Sequence, residues 1–370
     1  MSSASLPTEA FVRQTTYEPL PAPPQVRRTL LTTLAGDLAS AAITLVAGAM
    51  LIWLTPKLIS WAVVNGIWSG GGEACRDAGG ACWAFLSEKS RQILFGIYPP
   101  GEHWRPAAVV GLALGLSLWS LPPRNWTRIT LLLWLIGVGA MLILMRGGNL
   151  GLSPVSTEAW GGLPVTLLLT IGSLGLGFPL AVALALGRQS ELRGISTLCI
   201  GIIETVRGLP LLSLLFIASI LLPIMLPEGL SIDKLARALV ALTVFSAAYL
   251  AEVLRGGLQA LTAGQGEAAR ALGLSWAQTT RLIVLPQAIA KVIPPLTNTV
   301  IVMVKNTSLV LVVGLFDLLS SGRAAATDPA WPSPYKETYL FVGLIYFVIC
   351  FGIARYSLWL ERRLAAGQKR

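Results

Sequence analysis

The sequence is dominated by apolar runs long enough to cross a lipid bilayer, and that feature decides what it can fold into. A spanning helix needs about 20 mostly apolar residues. Such runs recur at roughly 38–61, 107–121, 128–145, 163–187, 195–224, 235–254, 291–314 and 339–360. In hydrocarbon the backbone must satisfy its own polar groups, so these runs span as helices. Only 12% of the 370 residues are charged and 54% are hydrophobic, against about 25% charged in a soluble domain. Mean hydropathy is +0.69. The expected fold class is an all-α polytopic membrane protein with about eight transmembrane helices. The runs at 195–224 and 291–314 contain charges and Pro and are the weaker spans by hydropathy.

Residues 1–36 are polar and Pro-rich and lack the apolar core of a signal peptide, so the first span is expected to be retained. With the N-terminus inside, 16 of the 28 Lys and Arg fall on inside segments and 10 outside. This is the positive-inside pattern, with both termini cytoplasmic. The net charge of +10 therefore reports orientation and does not call for a nucleic-acid partner; membrane lipid is the expected surroundings. His103 is the only histidine, so metal chemistry is not expected. Cys199 and Cys350 lie in spans as small core residues. Cys75 and Cys82 share an outside loop, where an oxidising compartment favours a disulfide.

The chain divides on these grounds into a tail (1–36), three spans (37–148, with an outside loop at 62–106) and five spans (149–370). The last part contains an inside loop at 255–290 that looks soluble: "GQGEAARALGLSWAQTTRLIVLPQ", residues 264–287. A short helix is expected over 265–272, ended by Gly273 in the left-handed conformation. Ser275 and Gln278 have the spacing of a capping box for a second helix. Pro286 stops that helix or starts the next turn. Ala268, Ala269 and Gly273 leave a surface that another protein can approach closely. A connector packed on its own chain is the alternative.

The pattern Glu267-Ala268-Ala269, three residues, Gly273-Leu274, then Ile283, one residue, Leu285-Pro286 resembles the cytoplasmic EAA loop of ABC importer permeases. "ETVRGLPLL" (204–212), "AAYLAEVLRGGLQAL" (247–261) and "NTVIVMVKNTSLV" (298–310) are similar to the polar amino-acid branch of that family. The outside loop is similar to one of the two longer permeases of general L-amino-acid importers. The resemblance implies a type I ABC importer permease core of five helices plus three N-terminal helices, in a bacterial inner (plasma) membrane. It implies an EAA hairpin docked on an ABC ATPase dimer, a second homologous permease and a periplasmic amino-acid-binding protein. ATP and Mg would be held by the ATPase, with no cofactor on this chain. In agreement, no G-x-x-x-x-G-K-[ST] phosphate loop occurs here, so ATP hydrolysis is expected elsewhere and no catalytic residue is assigned.

Ionisable residues within spans need a cavity or a partner. Glu204 and Arg207 are three apart and can pair on one helix face, beside a helix break expected at Gly208–Pro210. They are candidates for the substrate path, or a structural pair. Glu252 and Arg255 repeat the spacing at the inside end of a span and read as a structural ion pair. Lys305, Asn306, Thr307 and Ser308 lie roughly 22 Å into the span at 291–314. Lys305 is expected to snorkel, to pair with Glu204 or to face a substrate carboxylate. The competing class is a self-sufficient ion-coupled carrier, which has no use for the EAA hairpin.

Overall fold

The computed structural model describes residue 34 and residues 36–77, 79–148, 151–227, 229 and 231–367. The tail read at 1–36 lies almost wholly outside the described residues. So do Lys369 and Arg370 of the charge count, and position 149, where the five-span part is expected to begin. The chain forms two units, Met1–Trp61 and Ala62–Arg370.

The first unit contains α1, Leu38–Ile59. Asp37 caps it by accepting the Ser40 N–H, which holds its carboxyl below the usual range. None of its residues is buried, and Ile43, Leu45 and Ile52 point outward. An apolar surface all round suits a helix solvated by lipid.

The second unit begins with α2, Gly72–Arg76, and α3, Trp83–Phe95, followed by α4, Trp104–Ser120, and α5, Arg128–Arg146. Next come α6, Gly162–Arg188, α7, Arg193–Gly208, α8, Leu211–Phe216, α9, Leu222–Met225, and α10, Lys234–Gln259. The hairpin supplies α11, Ala263–Ala271, and α12, Trp276–Thr279, and leads into α13, Leu285–Lys291. The chain ends with α14, Ile293–Asn306, α15, Leu318–Ala326, and α16, Tyr335–Gly367.

Among the described residues of the whole chain, six helical stretches are long and apolar enough to cross a membrane. The run at 195–224, where a break is expected at Gly208–Pro210, forms a pair of segments bent by 104°, a seventh candidate span if counted as one. The break falls where Pro210 removes a backbone donor and Leu209 before it is held extended. The run at 107–121 forms α4, whose 17 residues reach the lower end of the spanning range.

Small residues bring α6 and α10 together. A Cβ on Gly177 would stand 2.2 Å from the Ser246 hydroxyl. Ala181, Ala185, Ala248 and Ala251 are buried. Between lipid-solvated helices such close backbone approach gains dispersion contacts that a hydrophobic effect cannot supply. Ser246 donates to the Ser173 carbonyl across this seam.

At the end of the bundle away from the hairpin, the loop before α4 is built into the core. The structure joins Cys75 and Cys82 in a disulfide. Phe85 packs edge-on against Trp331, and Glu337 accepts the Cys82 N–H. Lys89 pairs with Asp328 at 2.7 Å. That contact and the Ala330 N–H hold the Asp328 carboxyl below its usual range. Asp317 is fully buried and caps α15 through the Leu319 and Ser320 N–H groups, while Tyr346 donates to it at 3.1 Å. Gly162, at φ +70, lies so close to α3 that a Cβ would meet the Leu94 carbonyl at 2.0 Å.

Arg105 is the largest fully buried side chain. Its guanidinium donates to the carbonyls of Leu144 (2.6 Å), Ser153 (3.0 Å) and Met145 (3.4 Å). It thus satisfies the end of α5, where the helix dipole is negative. Replacing Arg105 with Met fills the space and orphans those carbonyls. We expect a loss of about 3 kcal/mol of stability, seen as a lower melting temperature of the detergent-solubilised protein, with Arg105→Lys intermediate. Mass spectrometry of non-reduced protein from native membranes should show peptides 75 and 82 linked; two freely alkylated thiols would contradict that pairing.

Candidate functional site

The hairpin is held in shape by its own backbone. Gly273 adopts φ +80. Its N–H donates to the Arg270 carbonyl, and the Leu274 N–H reaches the Ala269 carbonyl at 3.1 Å. This pair of bonds is a Schellman ending, which satisfies carbonyls that a helix end leaves open. Ser275 then makes both bonds of a capping box with Gln278. Pro286 does not stop the helix as expected: a π-helical turn, Thr280–Val284, carries α12 into α13, and the widened turn precedes the missing N–H of Pro286. At the base, Lys291 Nζ donates to the Ala260 carbonyl at 2.8 Å and closes the loop.

What this shape presents is a mixed surface. Glu267, Ala268, Gly273 and Pro286 are exposed, Leu274, Ile283 and Leu285 are half-buried, and Ala269 is buried. Ala269 is turned inward, so the small surface is made by Ala268 and Gly273. Leu272 (83% exposed), Trp276 (70%) and Leu282 (63%) add large uncovered apolar groups. A protein docking surface has this character, with apolar anchors among small residues.

Beside the hairpin lies a cluster of five charges. Arg188 Nη1 stands 3.0 Å from Glu204 and 3.3 Å from Glu252. Arg207 reaches Glu204 at 4.0 Å and Glu252 at 3.5 Å, and Arg255 pairs closely with Glu252. The two E-x-x-R pairs, read separately from sequence, thus form one network. Arg188 is the last residue of α6, and Glu252 and Arg255 lie in the last two turns of α10. Glu204 could not meet Arg188 if α7 ran back alongside α6, because the two residues would then be about 16 Å apart along the axis. The turn at 189–192 therefore sends α7 across the end of α6, and the chain bends again after Gly208. Gly208 and Pro210 are exposed at that bend.

Lys305 is elsewhere. Among the described residues it makes no ion pair with Glu204, whose partners are Arg188 and Arg207. Pairing between Lys305 and Glu204 is therefore corrected: α7 lies at the hairpin end, while Lys305 lies one residue from the far end of α14. It lines a shallow groove of about 310 Å³ with Ser308, Leu319, Tyr339 and Tyr346. Asn306 is half-buried, while Thr307 is buried and donates to the Val304 carbonyl. Ser308 donates to the Lys305 carbonyl.

Two features escaped sequence reasoning. Arg188 joins Glu204 to Glu252, yet in sequence it is only one more cation after an apolar run. Asp317 resembles an outside loop acid, and only its spacing before Ser320 signals a helix cap.

Comparison with known proteins agrees with this architecture. The family of binding-protein-dependent transport system inner membrane components matches residues 177–366. The chain is 42% identical to the "Inner membrane amino-acid ABC transporter permease protein YhdY" of Escherichia coli (strain K12), over 86% of this chain and 88% of that one. It is 34% identical to the "Glutamate/glutamine/aspartate/asparagine transport system permease protein BztC" of Rhodobacter capsulatus, over 96% and 98%. Among solved structures, a chain of "an amino acid ABC transporter with histidines" is 34% identical over 55% of this chain and 92% of that chain, with a TM-score of 0.48.

Proposed function

Because this chain belongs to the family of binding-protein-dependent transport system inner membrane components, we propose that it is the membrane-spanning permease of an ATP-driven amino-acid importer. The amino-acid assignment is supported by the names of its relatives. The observation that carries the mechanism is the hairpin: a pre-shaped, partly apolar projection closed at its base by Lys291. In this reading it lies in the cytoplasm and docks on a separate ABC ATPase, which binds ATP and Mg. A second, homologous permease completes the path, and a periplasmic binding protein delivers the amino acid to the disulfide-bonded end. The charges of α7 and α10 line the exit, and Lys305 with Asn306, Thr307 and Ser308 lies deeper on the path.

The physical logic is that of a lever. A rigid hairpin transmits ATPase movement only if it cannot flex where it turns. α10 enters it directly, and α14 leaves it through α13. Docking therefore pulls on two spanning helices at once.

A Cβ on Gly273 has open space around it, so the cost of a substitution there is backbone strain, of order 1–3 kcal/mol for a residue forced to positive φ. Gly273→Val should insert and assemble normally but lose transport, with ATP hydrolysis no longer stimulated by substrate. Ordinary stimulated hydrolysis in that variant would count against the coupling role.

The cluster sets three arginines against two carboxylates. Glu204→Gln removes a carboxylate that faces the ammonium end of a passing amino acid. Uptake of cationic and neutral amino acids should fall several-fold more than uptake of acidic ones in competition assays. An unchanged order of preference, with less complex in the membrane, would mark the cluster as purely structural.

A further inference from the structure

A cleft of about 780 Å³ opens at the root of the hairpin, between α11, α12 and the turn that joins α6 to α7. That volume is in the range of small-molecule sites. We propose that it binds a free zwitterion with an apolar body, of the amino-acid class, and that the bound ligand pins the hairpin to the end of α6.

The wall chemistry supplies both ends of such a ligand. Glu191 comes from the α6–α7 turn and Arg270 from α11. Among the described residues, neither is engaged by another side chain, in contrast to the charges of the neighbouring cluster. Two opposite charges facing one cleft, on different elements and left unpaired, suit an ammonium and a carboxylate in one molecule. Between them the wall is apolar. Leu258 is buried, Val284 half-buried, and the Trp276 indole is left 70% uncovered. An aromatic face beside a carboxylate also favours an ammonium. Thr279, 7% exposed, stands in the same wall with a hydroxyl that has no hydrogen-bond partner.

The affinity should be modest. Exposed charges are screened by water and contribute little each, and a small apolar body adds the rest. The sum corresponds to a Kd on the order of 0.1–1 mM. Such a ligand would bridge a hairpin element and a spanning-helix end. By holding the hairpin against α6 it would slow ATP turnover. This regulatory half rests on the coupling role proposed above; binding itself does not.

The test uses the assembled complex in phosphatidylglycerol nanodiscs and equilibrium dialysis with radiolabelled L-leucine. Both charged residues are exposed, so Glu191→Gln and Arg270→Gln should fold normally. Each should weaken the leucine sites assigned here several-fold. 3-Methylbutylamine and 4-methylpentanoate, which each lack one charge, should compete several-fold less well than leucine. Unchanged leucine binding in both variants, or equal competition by the analogues, overturns the site. Loss of leucine binding when phosphatidylethanolamine is included would give the cleft to a lipid headgroup and also overturn it. Leucine on the ATPase side should slow hydrolysis several-fold in the parent complex and leave Glu191→Gln unaffected. Binding with no effect on hydrolysis overturns the regulatory role alone, while a complex whose hydrolysis never responds to transport substrate counts against the coupling reading instead.

Discussion

The hairpin end depends on the bridge that Arg188 makes between Glu204 and Glu252. Three helices end or bend there, and each brings charge to a place where hydrocarbon gives way to water. Two of the partners are 21% exposed, so solvent screens the bridge in part, and its worth as raw stability is modest. Its larger effect is geometric. Close packing of Gly177 and Ala181 on α6 against α10 brings the helix ends level. The bridge then draws α7 across them, and the position of α7 sets where the bent segment Leu211–Met225 begins.

Backbone satisfaction governs the remaining breaks. A chain in lipid cannot leave N–H or C=O groups open, so each interruption brings its own partners. Arg105 serves the end of α5. Asp317 serves the start of α15, and the Thr166 hydroxyl accepts the Leu318 N–H beside it. Ser321 accepts the N–H of Gly162 at the start of α6. The bonds of Arg105, Thr166 and Ser321 cross between elements far apart in sequence, while those of Asp317 are local. Each therefore closes a backbone vacancy and fixes a helix end in one step.

That pattern explains which features could be read in advance. The spans follow from local composition, and the caps at Gly273 and Ser275 follow from neighbours within a few residues, so both are legible in the sequence. The break at Gly208–Pro210 is legible for the same reason. The union of Glu204–Arg207 with Glu252–Arg255 is not, because it depends on how the helices cross, which brings both Arg207 and the distant Arg188 to Glu252. Lys305 shows the converse error. Sequence proposes a carboxylate partner for a charge in a span, but the direction of α7 decides that Glu204 is out of reach.

The two ends of the second unit are tied to very different degrees. One end has a disulfide, a buried arginine, a buried aspartate and the Lys89–Asp328 pair. The hairpin end has partly hydrated ion pairs, exposed Leu272, Trp276 and Leu282, and an open cleft. Free energies of local opening follow buried contacts and protected hydrogen bonds. Motion should therefore concentrate at the hairpin end while the other end acts as a fixed base. The small-residue seam between α6 and α10 runs from one end toward the other. Along it Leu239 and Ser246 of α10 fit against Gly172 and Gly177 of α6, so the two helices are held together as one close-packed pair.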